Sequence, residues 1–519
     1  MRFKKAACIL AAGMLIAVSA PAIAGCSKKD GLADKMFDFG EDYYKTVSKR
    51  HSLNYDEMLY DDFTNGIDSS RWVVSDSVWD QWSTDQNGVR PQNVFLVDDE
   101  KNPDTHLLLR ANGSYYNMDN DTFYTAEEKA QYGDGKNLFT SSQGYGVNSG
   151  ACISTVEALG PGRYDVKMKA CPRVGALTSM WVYSWFTKND GTYQQNEIDI
   201  EIGLEPDFSQ VFFTTWTSPD NNTNMPTPVE YFVNDGDWHV YSFDWVTDVA
   251  VPYVDYFIDG VKVLTIDANV PTTNATLNLG LWCPSWAGGG ATDPDNGNIS
   301  VDSRMFDIDY AEISWWRYIP FQMDGWEQRP VQNRNYAEGY VPKTLTELPV
   351  IDKCANGNFE RDDASYNIPN SQYTYGNPWK DFTVDDEDNE SFVPNSSVGI
   401  VTDPLNADNH CAEIVNGGLL GQWLRGAAEG FKYKLTGKYR TTGDAEAAFR
   451  YTYLLGYSTT SRTSGNKTVT LGSSAEWKDF TLEFTIDKEG AQSIRYYLMN
   501  IAESGNCYFD DISITYIGH

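Results

Sequence analysis

The sequence predicts an all-β protein of two sandwich units joined by a linker, and three observations lead there. From about Tyr55 to Pro320, short runs of Val, Ile, Tyr, Phe and Trp are broken by Gly, Pro, Asn and Asp, the pattern of many strands in a two-sheet sandwich. No convincing long amphipathic helix interrupts it. The pattern fades over residues 321–350, where Pro330, Pro342 and Pro349 stand among charged residues, and β-rich sequence resumes over 351–519, which marks a linker and a second unit.

Residues 1–26 open with Arg2, Lys4 and Lys5, continue in an apolar run from Ala6 to Ala24, and end in Ile23-Ala24-Gly25-Cys26. This is the build of a secretion signal. The small residues before Cys26 resemble a bacterial lipobox, which implies cleavage before Cys26 and lipidation of its thiol; the alternative is an ordinary signal cut nearby. The lipobox reading gives an extracellular, cell-surface lipoprotein anchored through Cys26, with residues 27–54 as a polar tether. The apolar run is short for a stable membrane span.

A net charge of −33, spread along the chain, argues against nucleic acid or an anionic lipid surface as a partner. A neutral ligand fits better. Aromatics make up 14% of the residues, with 16 Trp and 32 Tyr, which suits the apolar faces of sugar rings and equally the filling of sandwich cores. The chain has no CxxC pair, no HExxH or other close histidine pair, no GxSxG and no phosphate loop, so zinc, serine-esterase and nucleotide chemistry drop out. Catalysis is expected to need no cofactor, and the protein to act as a monomer. Cys152 and Cys171 flank the turn Gly160-Pro161-Gly162 nearly symmetrically and would meet across a hairpin, unless the register slips by one.

Within the first unit, Tyr164 to Met168, Val211 to Trp216, Val240 to Trp245, Tyr253 to Ile258 and Asp307 to Trp315 read as strands. The stretch that carries chemistry is Asn196-Glu197-Ile198-Asp199-Ile200-Glu201-Ile202. Strict alternation with β-branched residues puts Glu197, Asp199 and Glu201 on one face of a strand and the isoleucines on the other. Like charges repel, so such a face belongs in a wet cleft with work for it to do, or else is a solvated surface.

Glu-Ile-Asp-Ile-Glu, with Gly162 to Lys169 upstream, resembles the active-site region of family 16 glycoside hydrolases. Asp62-Phe63-Thr64-Asn65-Gly66 resembles that family's opening strand, Trp238 to Trp245 and Asp259-Gly260 its HxYxxxW and DG segments, and Leu281-Trp282, Trp286 to Gly289 and Phe306 to Ile313 its last strands. The resemblance covers residues 55–320 and implies a β-jelly roll that cleaves β-glucans with retention. It implies Glu197 as nucleophile, Asp199 as its assistant and Glu201 as acid/base. Four residues of straight strand span about 13 Å, whereas retaining catalysis needs the carboxyl groups about 5–5.5 Å apart, so the strand must curve. The five-residue motif without an extra bulging residue resembles bacterial lichenases, which cut β-1,3-1,4-glucan; it also occurs in transglycosylases of the family. Gln195-Asn196 depart from the Trp-Asp found in lichenases, and Trp286 to Gly289 resemble laminarinase-like members. Trp181, Trp185, Trp216, Trp282 and Trp286 are candidate sugar platforms, each of which can equally pack in a core. The resemblance makes Asn93 a hydroxyl ligand, and His239 is a weaker candidate.

In the second unit, Asn356 to Glu360 and Tyr508 to Ile514 resemble the ends of carbohydrate-binding modules of the family 4 and 9 type, with Gly430 to Tyr433 as the turn expected between them. Such modules bring first and last strands together. That would gather Glu360, Asp510 and Asp511 into a structural Ca²⁺ site and bring Cys354 to Cys507 for a disulfide. Trp379, Trp423, Tyr451 and Tyr453 are the candidate ligand aromatics. The module would hold the enzyme on its polysaccharide; a non-catalytic glycan-capture lipoprotein is the other function class.

Overall fold

The structure is a computed structural model. It describes residues 53–518 apart from 80–86, 114–115, 117–120, 133–148, 174–175, 188–190, 192, 204–209, 229–236, 285–305, 322–335, 338, 361–378, 385–389, 393–397, 416, 426, 456–462 and 492. Cys26 and Trp286 lie outside the described residues.

In the first unit the strands are β1 (Leu59–Asp61), β2 (Trp72–Val74), β3 (Ser77–Trp79), β4 (Asn87–Val89), β5 (Val94–Val97), β6 (Leu107–Asn112), β7 (Ser149–Thr155), β8 (Gly162–Lys169) and β9 (Leu177–Thr187). They continue as β10 (Tyr193–Ile202), β11 (Gln210–Ser218), β12 (Asn221–Pro228), β13 (His239–Val246), β14 (Tyr253–Ile258), β15 (Val261–Ile266), β16 (Thr276–Trp282), β17 (Ile308–Pro320) and β18 (Lys343–Leu345). One α-helix, Ala126–Tyr132, and two single 3-10 turns, Tyr55–Glu57 and Pro91–Asn93, are described here. The strands expected from sequence fall within β8, β11, β13, β14 and β17, with Asp307 just outside.

These strands fold into two layers. One runs β2-β7-β16-β9-β10-β11-β12, antiparallel throughout. The other runs β18-β5-β6-β17-β8-β13-β14-β15, with β1 on β17. The alternation of β10 sends Ile198, Ile200 and Ile202 into one buried cluster with Val182, Phe213, Phe243, Trp245 and Trp316, so the space between the layers is filled with side chains. On the far side of the second layer, Asp165 accepts from Arg163 Nε at 3.0 Å and from Arg317 Nε and Nη2 at 2.9 and 2.7 Å, and Arg163 Nη1 reaches Asp244 at 3.1 Å. The network balances two cations with two anions, which is what lets four charges be buried together.

Several expectations are corrected. Asp62 to Gly66 is a turn, not a strand: Phe63 sits at φ +56° and Gly66 N–H bonds to Phe63 O at 3.0 Å. Cys152 and Cys171 are not joined, because β7 pairs with β2 and β16 whereas β8 pairs with β13 and β17 in the other layer. The turn at Gly160 to Gly162 therefore crosses between layers and makes no hairpin. The linker is also partly ordered against the first unit, for β18 extends the sheet as a parallel neighbour of β5.

The second unit consists of β19 (Lys380–Val384), β20 (Glu390–Phe392), β21 (Val398–Asp403), β22 (Asn406–Val415), β23 (Leu419–Arg425) and β24 (Lys432–Thr441). It continues with β25 (Ala447–Leu454), β26 (Thr463–Gly472), β27 (Lys478–Thr485), β28 (Ser493–Asn500) and β29 (Asn506–Gly518). Six of these form the sheet β20-β19-β23-β28-β25-β26 and five the sheet β21-β22-β29-β24-β27, with one core between them. First and last segments do meet: Ile512 N–H bonds to Gly357 O at 2.8 Å. Cys354 and Cys507 nevertheless remain free thiols; Cys354 lies against Tyr496, and Cys507 pairs in register with Ile414 and Thr441.

Candidate active site

The site is a strand face. In register, Glu197 is flanked by Tyr183 and Trp216, Asp199 by Trp181 and Thr214, and Glu201 by Ser179 and Phe212. Directly paired residues share a face, so the three carboxylates stand in a row between walls from β9 and β11. Trp181 is 8% exposed, and Trp79 meets it edge-on at 6.1 Å and Trp282 at 4.8 Å. Gly280 makes room for this cluster, since a Cβ there would sit 2.8 Å from the Trp181 ring. Farther along the same face Trp185 lies opposite Gln195 and contacts Tyr193 at 5.0 Å between ring centroids.

The electrostatics divide the carboxylates by role. Asp199 is 5% exposed; burial first, then the charges of Glu197 and Glu201, hold its carboxyl well above the usual range. Its neutral form is thereby favoured over the carboxylate. The Trp216 side chain hydrogen-bonds to Asp199, and Asp199 hydrogen-bonds in turn to Glu197. Gln195 donates its carboxamide N–H to Glu197 Oε2 from the other side. Burial and the charge of Glu197 raise Glu201 to about 8. The row thus has an acid at one end and a carboxyl fed by two donors at the other, a division suited to acid/base work beside a nucleophile.

Not every candidate reaches this face. Asn93 is 1% exposed, and its amide is consumed internally: Nδ2 donates to Ser149 Oγ and Gly150 O, while Oδ1 accepts from Arg110 Nε and Asn112 Nδ2. His239 stands at the start of β13 in the other layer, 2.7 Å from Asp259 Oδ2. Asp259 Oδ1 also takes the Val240 N–H at 2.8 Å, so this histidine clamps the tight turn after β14. Tyr183, Trp79 and Phe212 join the face without having been singled out, and so does Gln195, noted in the sequence only for its departure from the lichenase Trp-Asp. Tyr183 was readable in Trp181-Val182-Tyr183-Ser184-Trp185, where it shares parity with both tryptophans; Trp79 arrives from a distant hairpin and leaves no local signal.

In the second unit, Trp379 is 3% exposed, donates to Asn356 O at 2.9 Å and packs on Phe359. Tyr451 and Tyr453 are also core residues; Tyr451 stacks on Phe484 at 4.8 Å and Tyr453 bonds to Asp487. Their parity turns them inward, away from the opposite sheet face. Trp423 is the exception, half-buried with the Arg495 guanidinium 4.6 Å from its ring centroid. The Ca²⁺ set does not gather. Glu360 accepts from His410 N–H at 2.9 Å, Asp510 from Asn409 Nδ2 at 2.9 Å, and Asp511 pairs with Lys438. Each carboxylate already has a protein donor or cation, and no cluster of three metal-ligating side chains exists among the described residues.

Comparison with known proteins bears on this face. Residues 117–312 match the sequence profile described as Glycosyl hydrolases family 16. A beta-glucanase of Acetivibrio thermocellus is 32% identical over 181 residues, covering 33% of this chain and 48% of that protein. One of Paenibacillus macerans is 29% identical over 186 residues, covering 36% of this chain and 71% of that protein. The chain thus spans about half the length of the first of these relatives. Among solved structures, a prokaryotic beta-1,3-1,4-glucanase (lichenase) derived from a mouse hindgut metagenome aligns over 51% of this chain and 99% of its own, at 20% identity and TM-score 0.31.

Proposed function

We propose that the first unit is a retaining endo-β-glucanase acting on β-1,3-1,4-glucan, with β-1,3-glucan as the nearest alternative. The observation that carries this reading is the row Glu197, Asp199, Glu201, in which Glu201 is raised to about 8 while Glu197 accepts hydrogen bonds from both neighbours. Glu201 gives its proton to the glycosidic oxygen as the bond to the anomeric carbon breaks. Glu197 forms an ester with that carbon. Glu201, now a carboxylate, takes a proton from water, which attacks the ester and frees Glu197. Asp199 hydrogen-bonds to Glu197 and stands between it and Glu201 on the strand face. The family 16 match and the beta-glucanase relatives support the substrate class.

The second unit is proposed as a carbohydrate-binding module with Trp423 as its aromatic contact, which would raise the local concentration of enzyme on a polymer. Export and anchoring through Cys26 complete the reading; palmitate incorporation lost in Cys26→Ser tests the anchor.

The deciding experiment is product analysis on mixed-linkage glucan and on laminarin, with Glu197→Gln alongside. Oligosaccharides from mixed-linkage glucan alone support the lichenase reading; preference for laminarin moves the enzyme to β-1,3-glucan. Loss of turnover with retained polysaccharide binding is expected for Glu197→Gln, and a variant of normal activity overturns the assignment. With a purified oligosaccharide as substrate, products longer than that oligosaccharide reveal transglycosylation, and binding without cleavage by the unmodified chain reveals a capture protein.

A further inference from the structure

We infer that Gln195 is a positioning residue for Glu197, its carboxamide holding that carboxylate ionised and fixed from the side opposite Asp199. This rests on the reading of Glu197 as nucleophile and goes beyond it, because it assigns a role to a residue outside the row Glu197, Asp199, Glu201.

The geometry comes from the strand. Gln195, Glu197 and Asp199 are successive residues of one face of β10, so Gln195 and Asp199 bracket Glu197 at two residues on either side. Gln195 Nε2 donates to Glu197 Oε2. Across the register Gln195 faces Trp185, which packs on Tyr193, the next residue of the same face. The contact that the Gln195 side chain makes on this face is therefore with the carboxylate two residues along its own strand.

The chemistry calls for a neutral donor at this place. Asp199 and Glu201 are both shifted towards their neutral forms, which leaves Glu197 to take the ionised, nucleophilic form in the proposed reaction. A hydrogen bond donated to the anion favours that form, and one involving an ionised partner is stronger than a neutral pair. A lysine would pair with Glu197 and blunt it; a fourth carboxylate would add repulsion. An amide supplies an N–H without a charge, and its length spans two residues of strand.

The test uses the full chain with Gln195→Leu, which removes the donor at similar volume, and Gln195→Met as a second variant, each checked for its circular dichroism spectrum. Carbodiimide with an amine nucleophile labels protonated carboxyls, so mass-spectrometric mapping of labelling at Glu197 against pH reads its protonation without any substrate. The labelling midpoint is expected to rise by about one pH unit in both variants, corresponding to a tenfold change in the protonation equilibrium. The acidic limb of kcat against pH on mixed-linkage glucan should move by the same amount, with KM within about twofold, since the effect lies on a reacting group and not on ligand contacts. An unmoved midpoint in folded variants overturns the proposal, even where activity falls. If the unmodified chain cleaves no glucan while the midpoint still shifts, the hydrolase reading fails and the positioning role stands.

Discussion

Replacing the acid at the end of the row, Glu201→Gln, is expected to stabilise the protein at alkaline pH while removing most of its activity. In the fold, burial and the charge of Glu197 raise Glu201 from 4.5 to about 8. The folded state therefore binds its proton more tightly than the unfolded chain does. Stability from this group is fully present below pH 4.5, declines as pH rises towards 8, and is lost above it. At about 1.4 kcal/mol per pH unit the gap corresponds to about 5 kcal/mol as a ceiling, which partial solvent access reduces to about 2–3 kcal/mol. Glutamine has no proton to lose. Urea unfolding followed by tryptophan fluorescence at pH 4, 6, 8 and 9 should show the two proteins nearly equal at pH 4, with the variant pulling ahead through the window and levelling off above pH 8. Turnover should fall by about 10²–10⁴ for loss of a general acid. A difference in stability that does not change with pH, or a variant less stable at pH 9, would refute the electrostatic account. Because the three carboxyls interact, the alkaline limb of activity reports the row as a set, not Glu201 alone.

Asp165→Asn leaves Arg163 and Arg317 without their shared carboxylate in a buried setting, and should cost about 3–5 kcal/mol in urea unfolding. Gly280→Ala drives a methyl to 2.8 Å from the Trp181 ring; overpacking of about 1–3 kcal/mol should displace that ring, seen as altered tryptophan fluorescence and a higher KM for glucan oligosaccharides. Trp423→Ala should weaken pull-down on insoluble glucan by about tenfold, the order of one lost aromatic contact; unchanged retention would remove Trp423 from the module's ligand surface.

What the sequence made legible follows from the range of each signal. Alternation is local, so the face carrying Glu197, Asp199 and Glu201, its buried isoleucines and the strands at Tyr164, Val211 and Tyr253 could all be read from neighbouring residues. Layer assignment is not local. Cys152 and Cys171 are symmetric about a turn, yet the turn leads into the other layer, and nothing near Gly160 says so. The parity of Tyr451 and Tyr453 is plain, but which parity faces the core depends on Phe484 and Tyr496, far along the chain. Asn93 and His239 illustrate a third case: their polar groups are taken up by Arg110, Asn112 and Asp259, partners fixed only by the assembled sheets.

The two faces of β10 are energetically linked. Ile198, Ile200 and Ile202 are fully buried, and each contributes about 1.5–3 kcal/mol by leaving water. Repulsion along the acid face acts against the same strand, and its contribution grows with pH because Asp199 and Glu201 hold protons that they lose only when the medium forces them to. Trimming the core side should therefore expose the strain on the other. Ile200→Ala removes about 2–5 kcal/mol by cavity formation, a loss that should be tolerable at pH 4 and most damaging at pH 9, where the acid row is most highly charged. Adding Glu201→Gln should restore part of the stability at pH 9 and almost none at pH 4. If the second substitution rescued equally at both, the coupling would lie in local packing between adjacent residues, and the charged face would have no part in setting how large a core this strand requires.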